Sequence, residues 1–442
     1  MKMFSLAALL AAVCFATPAQ HPPAGAEDVL PRHAAAGRAT VFVNVQVIPM
    51  DRERFLAHQT VVVENGVITA MGAGNSVKIP DGAIRIEGRG RFLMPGLADM
   101  HVHVSQRHLL LYLANGVTTI RNMGGSPEIL AMRKRVNDGE LPGPRIFTTG
   151  PLTAGVPQRY SFAVVVKTPE EAERAVSDQK QAGYDFVKAY DGLSAETYAA
   201  LVRAAARHGM RVVGHIPDGV GWAAVLRARQ ASIEHAEQID YRFFGDDLDV
   251  GRIPEMVKMI RESGVTVCPT LAVYENFAAQ ALDPEAVMSR PEMKYVTPQT
   301  RQLWQQIRNR HAGYDLMRTF FHRKMIAEMQ RAGVPLLAGT DNPNPMMVPG
   351  FSLHDEMQAL VDAGLTPFQA LSAATRNAGE FLRGQFGTIS VGKQADLILL
   401  EGNPLMDVRE ARKRAGVMAR GEWFSQAELD SRLAEMAATS PK

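Results

Sequence analysis

Cysteine is scarce in this chain: its 442 residues include two, Cys14 and Cys268. If the first is removed by processing, no intramolecular disulfide can form, and the fold rests on its core and on any bound ions. Cys268, in the strand-like run GVTVCPTLAVY, reads as a small buried hydrophobe rather than a nucleophile. An excess of either charge is also missing. Lys and Arg number 48 against 46 Asp and Glu, a formal net charge of +2 that gives no electrostatic case for nucleic acid. Repeats of solenoid length are absent. So is the G-x-G-x-x-G turn that marks a dinucleotide-binding doubly wound sheet. What remains is an ordinary globular composition, 46% hydrophobic and 21% charged, with ample apolar material for a large core.

A single long apolar run occurs, in the N-terminal stretch MKMFSLAALLAAVCFATPAQ. Lys2 supplies a positive start, Phe4 to Phe15 is too short to span a bilayer comfortably, and Thr17 and Ala19 are small enough for a cleavage site. Residues 1–19 are expected to be a signal peptide cut near Ala19, which predicts export to the periplasm or medium and no membrane span afterwards. Acylation of Cys14 is a lesser alternative, since the preceding Val13 is not the small residue such sites usually carry. Residues 20–38, rich in Pro and Ala without apolar periodicity, read as a flexible lead-in.

Two β-rich pieces flank a long middle. Residues 39–93 contain TVFVNVQVIPM and QTVVVENGVITAMG, in which Glu64 to Gly66 is a hairpin signal, and residues 387–424 contain ADLILLEGNP and GVMARGEWF. Together they are expected to form one small β-sandwich domain from both chain ends. Residues 94–386 alternate strand-like runs such as PRIFTTG, YDFVKAY, MRVVGHI and GVPLLAGTD with helical patterns that open on Pro or a capping residue and close on Gly. Eight such strands predict a (β/α)8 barrel. Two long connections, 151–167 and 276–313, leave strand C-terminal ends, where barrel enzymes build their sites, and TPQTRQLWQQIRNRH within the second is expected to be helical. Residues 425–442 read as a terminal helix and tail, with a capping spacing at Ser425 and Glu428.

Polar residues gather at the ends of the predicted strands. His101 and His103 in DMHVHV share a strand face, Lys188 ends YDFVKAY, His215 follows VVG, His235 follows SIE, and Asp341 ends LLAGTD. Each alone is weak: a strand histidine is usually a hydrogen-bonded core residue, an aspartate caps turns, and a lysine pairs with carboxylates. Jointly, six such side chains at the mouth of one barrel predict a metal site. Four histidines and an aspartate suit a borderline divalent cation, with zinc the default. Lys188 cannot bind a cation as an ammonium. Burial and nearby metal charge lower its pKa, and the neutral amine can then ligate or react with carbon dioxide to give an anionic carbamate. Asp99 shares the parity of His101 and could stand behind the ligands. Tyr190, Asn122, Arg121 and Tyr241 follow strand ends and are weaker candidates for substrate contact. His354 sits where Ser352 and Asp355 suggest a helix start, and His108, His208, His311 and His322 fall on helices or insertions. None of these five is assigned to metal.

With PGLADMHVH, the strand-end lysine, two separate histidines, AGTDN and the closing GTISVGKQADLILLEGNPL in place, the chain resembles the amidohydrolase superfamily from about Ala39 to Phe424. Within it the likeness is to binuclear prolidase-like and imidazolonepropionase-like members. The resemblance implies two divalent metal ions. His101, His103 and Asp341 would hold the more buried one, His215 and His235 the other, and Lys188, as N6-carboxylysine, would bridge them. It also implies a metal-bridged hydroxide as nucleophile, Asp341 as the catalytic proton carrier, and homo-oligomers as a common state among relatives. The expected substrate is a small-molecule amide, a dipeptide or N-acyl amino acid; a lactonase or cyclic-amide hydrolase is the alternative. A non-catalytic scaffold fits poorly, because none of the six residues is missing.

Overall fold

The computed structural model describes residues 38–157, 160–308 and 316–439. The expected signal peptide and nearly all of the lead-in lie outside the described residues, as does His311.

Strands β1 (Thr40–Val47), β2 (Leu56–Glu64), β3 (Val67–Ala73), β4 (Ile84–Glu87) and β5 (Phe92–Pro95) come from the N-terminal piece. β2 and β3 pair antiparallel through Asn65 and Gly66, whose φ angles of 50° and 76° are the left-handed pair a two-residue hairpin of this hand requires. Late in the chain, β14 (Leu397–Leu400), β15 (Arg414–Ala419) and β16 (Glu422–Ser425) join the same sheet, because β14 pairs with β5. The order is β16-β15-β14-β5-β1-β2-β3, with β4 beside β1. The domain built from both chain ends is thus one continuous mixed sheet. Phe42, Val61, Leu93, Leu399 and Met418 share its core.

Gly96 carries the chain from β5 into the barrel. β6 (Leu97–Val102), β7 (Val117–Asn122), β8 (Arg145–Ala154), β10 (Phe186–Ala189), β11 (Arg211–Gly214), β12 (Ser232–Glu234) and β13 (Thr266–Cys268) pair in parallel and in sequence order, while the short β9 (Val164–Val165) lies beside β8. The eighth position differs from the expected strand. Residues 335–342 occupy it and close the ring, but through parallel bridges of Leu336 to Val267 and Asn342 to Val102 rather than a continuous ladder. Two features prevent regular extension there. A Cβ on Gly339 would lie 2.4 Å from Sγ of Cys268 and 2.9 Å from Cβ of His101, so the segment needs glycine to approach β6 and β13. Asp341 then turns into the left-handed region at φ 55°.

The helices follow their sequence signals. Thr168 caps Pro169–Ala182 by accepting from the amide of Glu171, and Gly183 ends it at φ 90°. Ser425 caps the terminal helix Gln426–Thr439, which buries Leu429 and Leu433 in the main core. The second long connection is largely helical, with Leu271–Leu282, Pro284–Met288 and Pro298–Arg308. In the first, residues 151–154 prolong β8. The expected start at Ser352 is corrected: Gly350 is the N-cap of Phe351–Asp362, and Oγ of Ser352 instead accepts from Asn342.

Candidate metal centre

The barrel brings the six predicted side chains together. β6 ends at Val102, so His103 lies one residue past it. Nε2 of His101 and Nε2 of His103 nevertheless stand 3.2 and 3.1 Å from the same atom, Oδ1 of Asp341. The imidazoles form a chain: His103 to His101 at 5.7 Å between ring centroids, His101 to His235 at 4.6 Å, and His235 to His215 at 5.2 Å. Lys188, third of the four residues of β10, is buried beside them, its Nζ 5.7 Å from the Tyr190 ring. Tyr190 in turn packs on His215 at 4.2 Å.

Polar partners behind the histidines fix how the rings are turned. Nδ1 of His101 lies 3.0 Å from Oε2 of Glu234. Nδ1 of His235 lies 2.9 Å from Oγ1 of Thr270, whereas Nδ1 of His215 only approaches Oδ1 of Asp191, at 3.5 Å and without hydrogen-bond geometry. A ring that donates from Nδ1 presents a lone pair at Nε2, the form that ligates a cation. His101 makes the point sharply. With Nδ1 committed to Glu234, its buried Nε2 faces the carboxylate oxygen of Asp341 and forms no hydrogen bond. Two acceptors set face to face are the arrangement a bound cation resolves. One ligand atom from each of His101, His103 and Asp341 fits within a 4.8 Å cluster.

Electrostatics favour neutral ligands. Burial lowers His103 to about 4 and holds His215 and His235 below the usual imidazole range. Burial also lowers the Lys188 ammonium to about 8, against the opposing pull of the Asp341 and Glu234 carboxylates. The shift brings loss of its proton closer to neutral pH than for an exposed lysine. Burial opposes ionisation of Asp341, and its carboxyl is held well below the ordinary range only while His101 carries charge and the rings donate to it; with neutral rings turning lone pairs toward it, a bound cation would supply that positive charge instead. Backbone strain gathers at the same place. His235, Thr270 and Asp341 have φ angles of 71°, 49° and 55°. For a β-branched residue such as Thr270 this conformation costs on the order of 1–3 kcal/mol.

Asp99 acts from beneath. Its carboxylate accepts from the amide (3.1 Å) and hydroxyl (2.8 Å) of Thr340 and from Nδ2 of Asn342 (3.1 Å), gripping Asp341 on both sides. Burial pushes this carboxyl up to about 7.

Two residues expected to contact substrate, Arg121 and Asn122, are engaged within the protein. Arg121 is fully buried: it donates to the carbonyl of Met100 (2.6 Å), to Ser232 Oγ (3.0 Å) and to both carboxylate oxygens of Glu234 (2.8 Å each). An arginine this deep needs a carboxylate, and that pairing commits it to holding Glu234. Asn122 spends its amide on the Val104 amide, the Gly124 carbonyl and Thr148 Oγ1. Tyr190 is buried beneath Tyr160 and touches the predicted ligands instead of open space. Tyr241 is half-buried in the π-helical turn Asp240–Phe244 and stacks over the Arg318 guanidinium at 4.5 Å. His354 bonds the Asn115 carbonyl and His322 bonds Asp240, away from the cluster.

Sequence reading missed Glu234, Asp191 and Thr270. Glu234 carried a signal: a strand arginine in TTIRN requires a buried acid, and SIEH offers one at a strand end.

Comparisons with known proteins bear on the family and the fold. A model of the amidohydrolase family matches residues 111–424. Ochratoxinase of Aspergillus niger is 25% identical over 84% of this chain and 83% of that protein. The crystal structure of a putative prolidase from Bifidobacterium longum is 25% identical with a TM-score of 0.71, covering 91% of this chain and 100% of that one. Bottromycin amidohydrolase shares the fold with a TM-score of 0.74 at 24% identity, over 93% of this chain and 95% of that one.

Proposed function

The chain belongs to the amidohydrolase family, and from that premise we propose that it uses two divalent cations to hydrolyse a dipeptide or N-acyl amino acid. The reaction class is hydrolysis of an amide carbon–nitrogen bond. His101, His103 and Asp341 would hold one cation, His215 and His235 the other, and Lys188 would stand between them. Bound there, cations of the zinc type acidify water toward neutral pH and polarise a carbonyl.

The chain's own residues do the rest. A neutral Lys188 amine would add to carbon dioxide and release one proton to solvent, giving a carbamate that would supply anionic oxygen ligands to the cations. The Asp341 carboxylate, gripped through Thr340 and Asn342 by Asp99, is placed to accept a proton and to return it to the leaving nitrogen. Buried Tyr190 keeps water from Lys188 and His215. Tyr241, partly exposed just beyond the His235 strand end, is the remaining candidate for contact with substrate. The single observation that carries this reading is the buried Nε2 of His101, turned without a hydrogen bond toward Asp341.

Metal analysis of the purified protein should give two divalent ions per chain. Lys188→Ala should lower both metal content and turnover on a panel of dipeptides and N-acyl amino acids. Two ions and full turnover in Lys188→Ala would sink the proposal, and exclusive cleavage of lactones or cyclic amides would redirect it. Residues 1–19 are proposed to direct export, which a mature N-terminus at Gln20 would support.

A further inference from the structure

Glu356 plays no part in the chemistry above, yet its side chain is fully buried, in the helix Phe351–Asp362. Its Oε2 accepts the amide of Ala272 at 2.6 Å, in the first turn of a different helix, Leu271–Leu282. That helix begins irregularly. A threonine at the N-cap ordinarily keeps an extended backbone and turns its hydroxyl onto an amide of the first turn. Thr270 does neither: its backbone is left-handed at φ 49° and ψ 46°, and its side chain makes no capping bond. Its hydroxyl lies instead 2.9 Å from Nδ1 of His235. The helix therefore lacks its own cap, and a carboxyl from a neighbouring element takes that place.

We propose that Glu356 is a positioning residue for His235: by capping Leu271–Leu282 in place of Thr270, it frees the Thr270 hydroxyl to orient the His235 ring. The chain of contacts runs from Glu356 to the Ala272 amide, through the left-handed turn at Thr270, to Nδ1 of His235. Nε2 of that ring is thereby aimed into the centre. Burial pushes the Glu356 carboxyl up to about 8, so near neutral pH it acts as a neutral acceptor that glutamine can reproduce. The inference rests on the reading of His235 as a ligand of one of two cations.

The test is titration of zinc into metal-free protein, read as two affinities per chain rather than as turnover. Glu356→Ala and Thr270→Ala should each weaken one affinity by about 10–100-fold and leave the other unchanged. The double variant should be no weaker than Thr270→Ala alone, because both changes break one chain of contacts. Glu356→Gln should bind like the wild type. Ala272→Pro, which removes the capped amide in the first turn where proline is tolerated, should repeat the effect of Glu356→Ala and serves if that variant does not fold. Asp283→Ala removes the cap of Pro284–Met288 and should alter neither affinity, which separates positioning from general loss of stability. Unchanged affinities in both Glu356→Ala and Ala272→Pro would overturn the inference, as would additive losses in the double variant. A wild type that takes up fewer than two zinc ions would overturn the metal reading itself, and this inference with it.

Discussion

At the scale of single residues, the centre depends on side chains that touch no substrate. Glu234 is held between the Arg121 guanidinium and the His101 ring, both fully buried. Glu234→Gln leaves Arg121 as an uncompensated buried charge, which should cost about 3–5 kcal/mol of stability. It should also weaken metal binding about 10–100-fold. Thermal unfolding and zinc titration of this variant check the two losses separately. Glu356 gives a pH prediction. Its carboxyl is raised from 4.5 to about 8 on folding, so between those values the folded protein keeps a proton that the unfolded chain releases. The contribution of Glu356 to stability should then fall as pH rises from about 4.5 through about 8, so the stability of Glu356→Gln relative to the wild type should rise over that range. Unfolding of the metal-free proteins at pH 5 and pH 8.5 measures it, and equal slopes would remove the burial argument.

At the scale of elements, the eighth barrel segment is the informative one. Residues 335–342 close the ring with bridges and lay Gly339 against His101 and Cys268. Gly339→Ala should cost about 1–3 kcal/mol through overpacking. It should also move Asp341 away from the histidines, seen as lower metal content. Adding Cys268→Ala removes the nearest obstacle, Sγ at 2.4 Å, and should restore part of the melting temperature. No recovery would locate the strain elsewhere. The alternation of hydrophobic runs showed that a segment belongs here, since GVPLLAGTD reads as a strand by composition. Its departure from regular pairing depends on how close β6 and β13 come, and that distance is absent from any local pattern.

At the scale of the whole molecule, the mouth of the barrel is closed from one side to the other by groups far apart in the chain. Arg121 and Glu234 are separated by 113 positions, and Asp99 and Thr340 by 241. Bound cations would add to this closure, because a ligand that binds only the folded form stabilises it. At a free concentration 100 times the dissociation constant the gain is about 2.7 kcal/mol. Chelation should accordingly abolish turnover and lower the melting temperature, and zinc should restore both. A chelated protein that keeps its melting temperature and its activity would refute the dependence. The small mixed sheet ties both ends of the chain to the barrel through β5, β14 and the terminal helix.

The amino-acid sequence by itself determined the alternating elements, the union of both chain ends, and the six chemistry-bearing residues at strand ends. Those features are local: strand periodicity, capping signals and residue type can all be read within a few positions. Only the tertiary structure decided that Arg121 and Asn122 are spent inside the protein, that Glu234, Asp191 and Thr270 stand behind the histidines, and that Glu356 caps a helix not its own. Apart from the longer approach of Asp191 to His215, each of these is a pairing of a buried polar group with whatever partner the closed barrel brings within about 3 Å. Burial makes such a partner obligatory, and the fold chooses which residue it is.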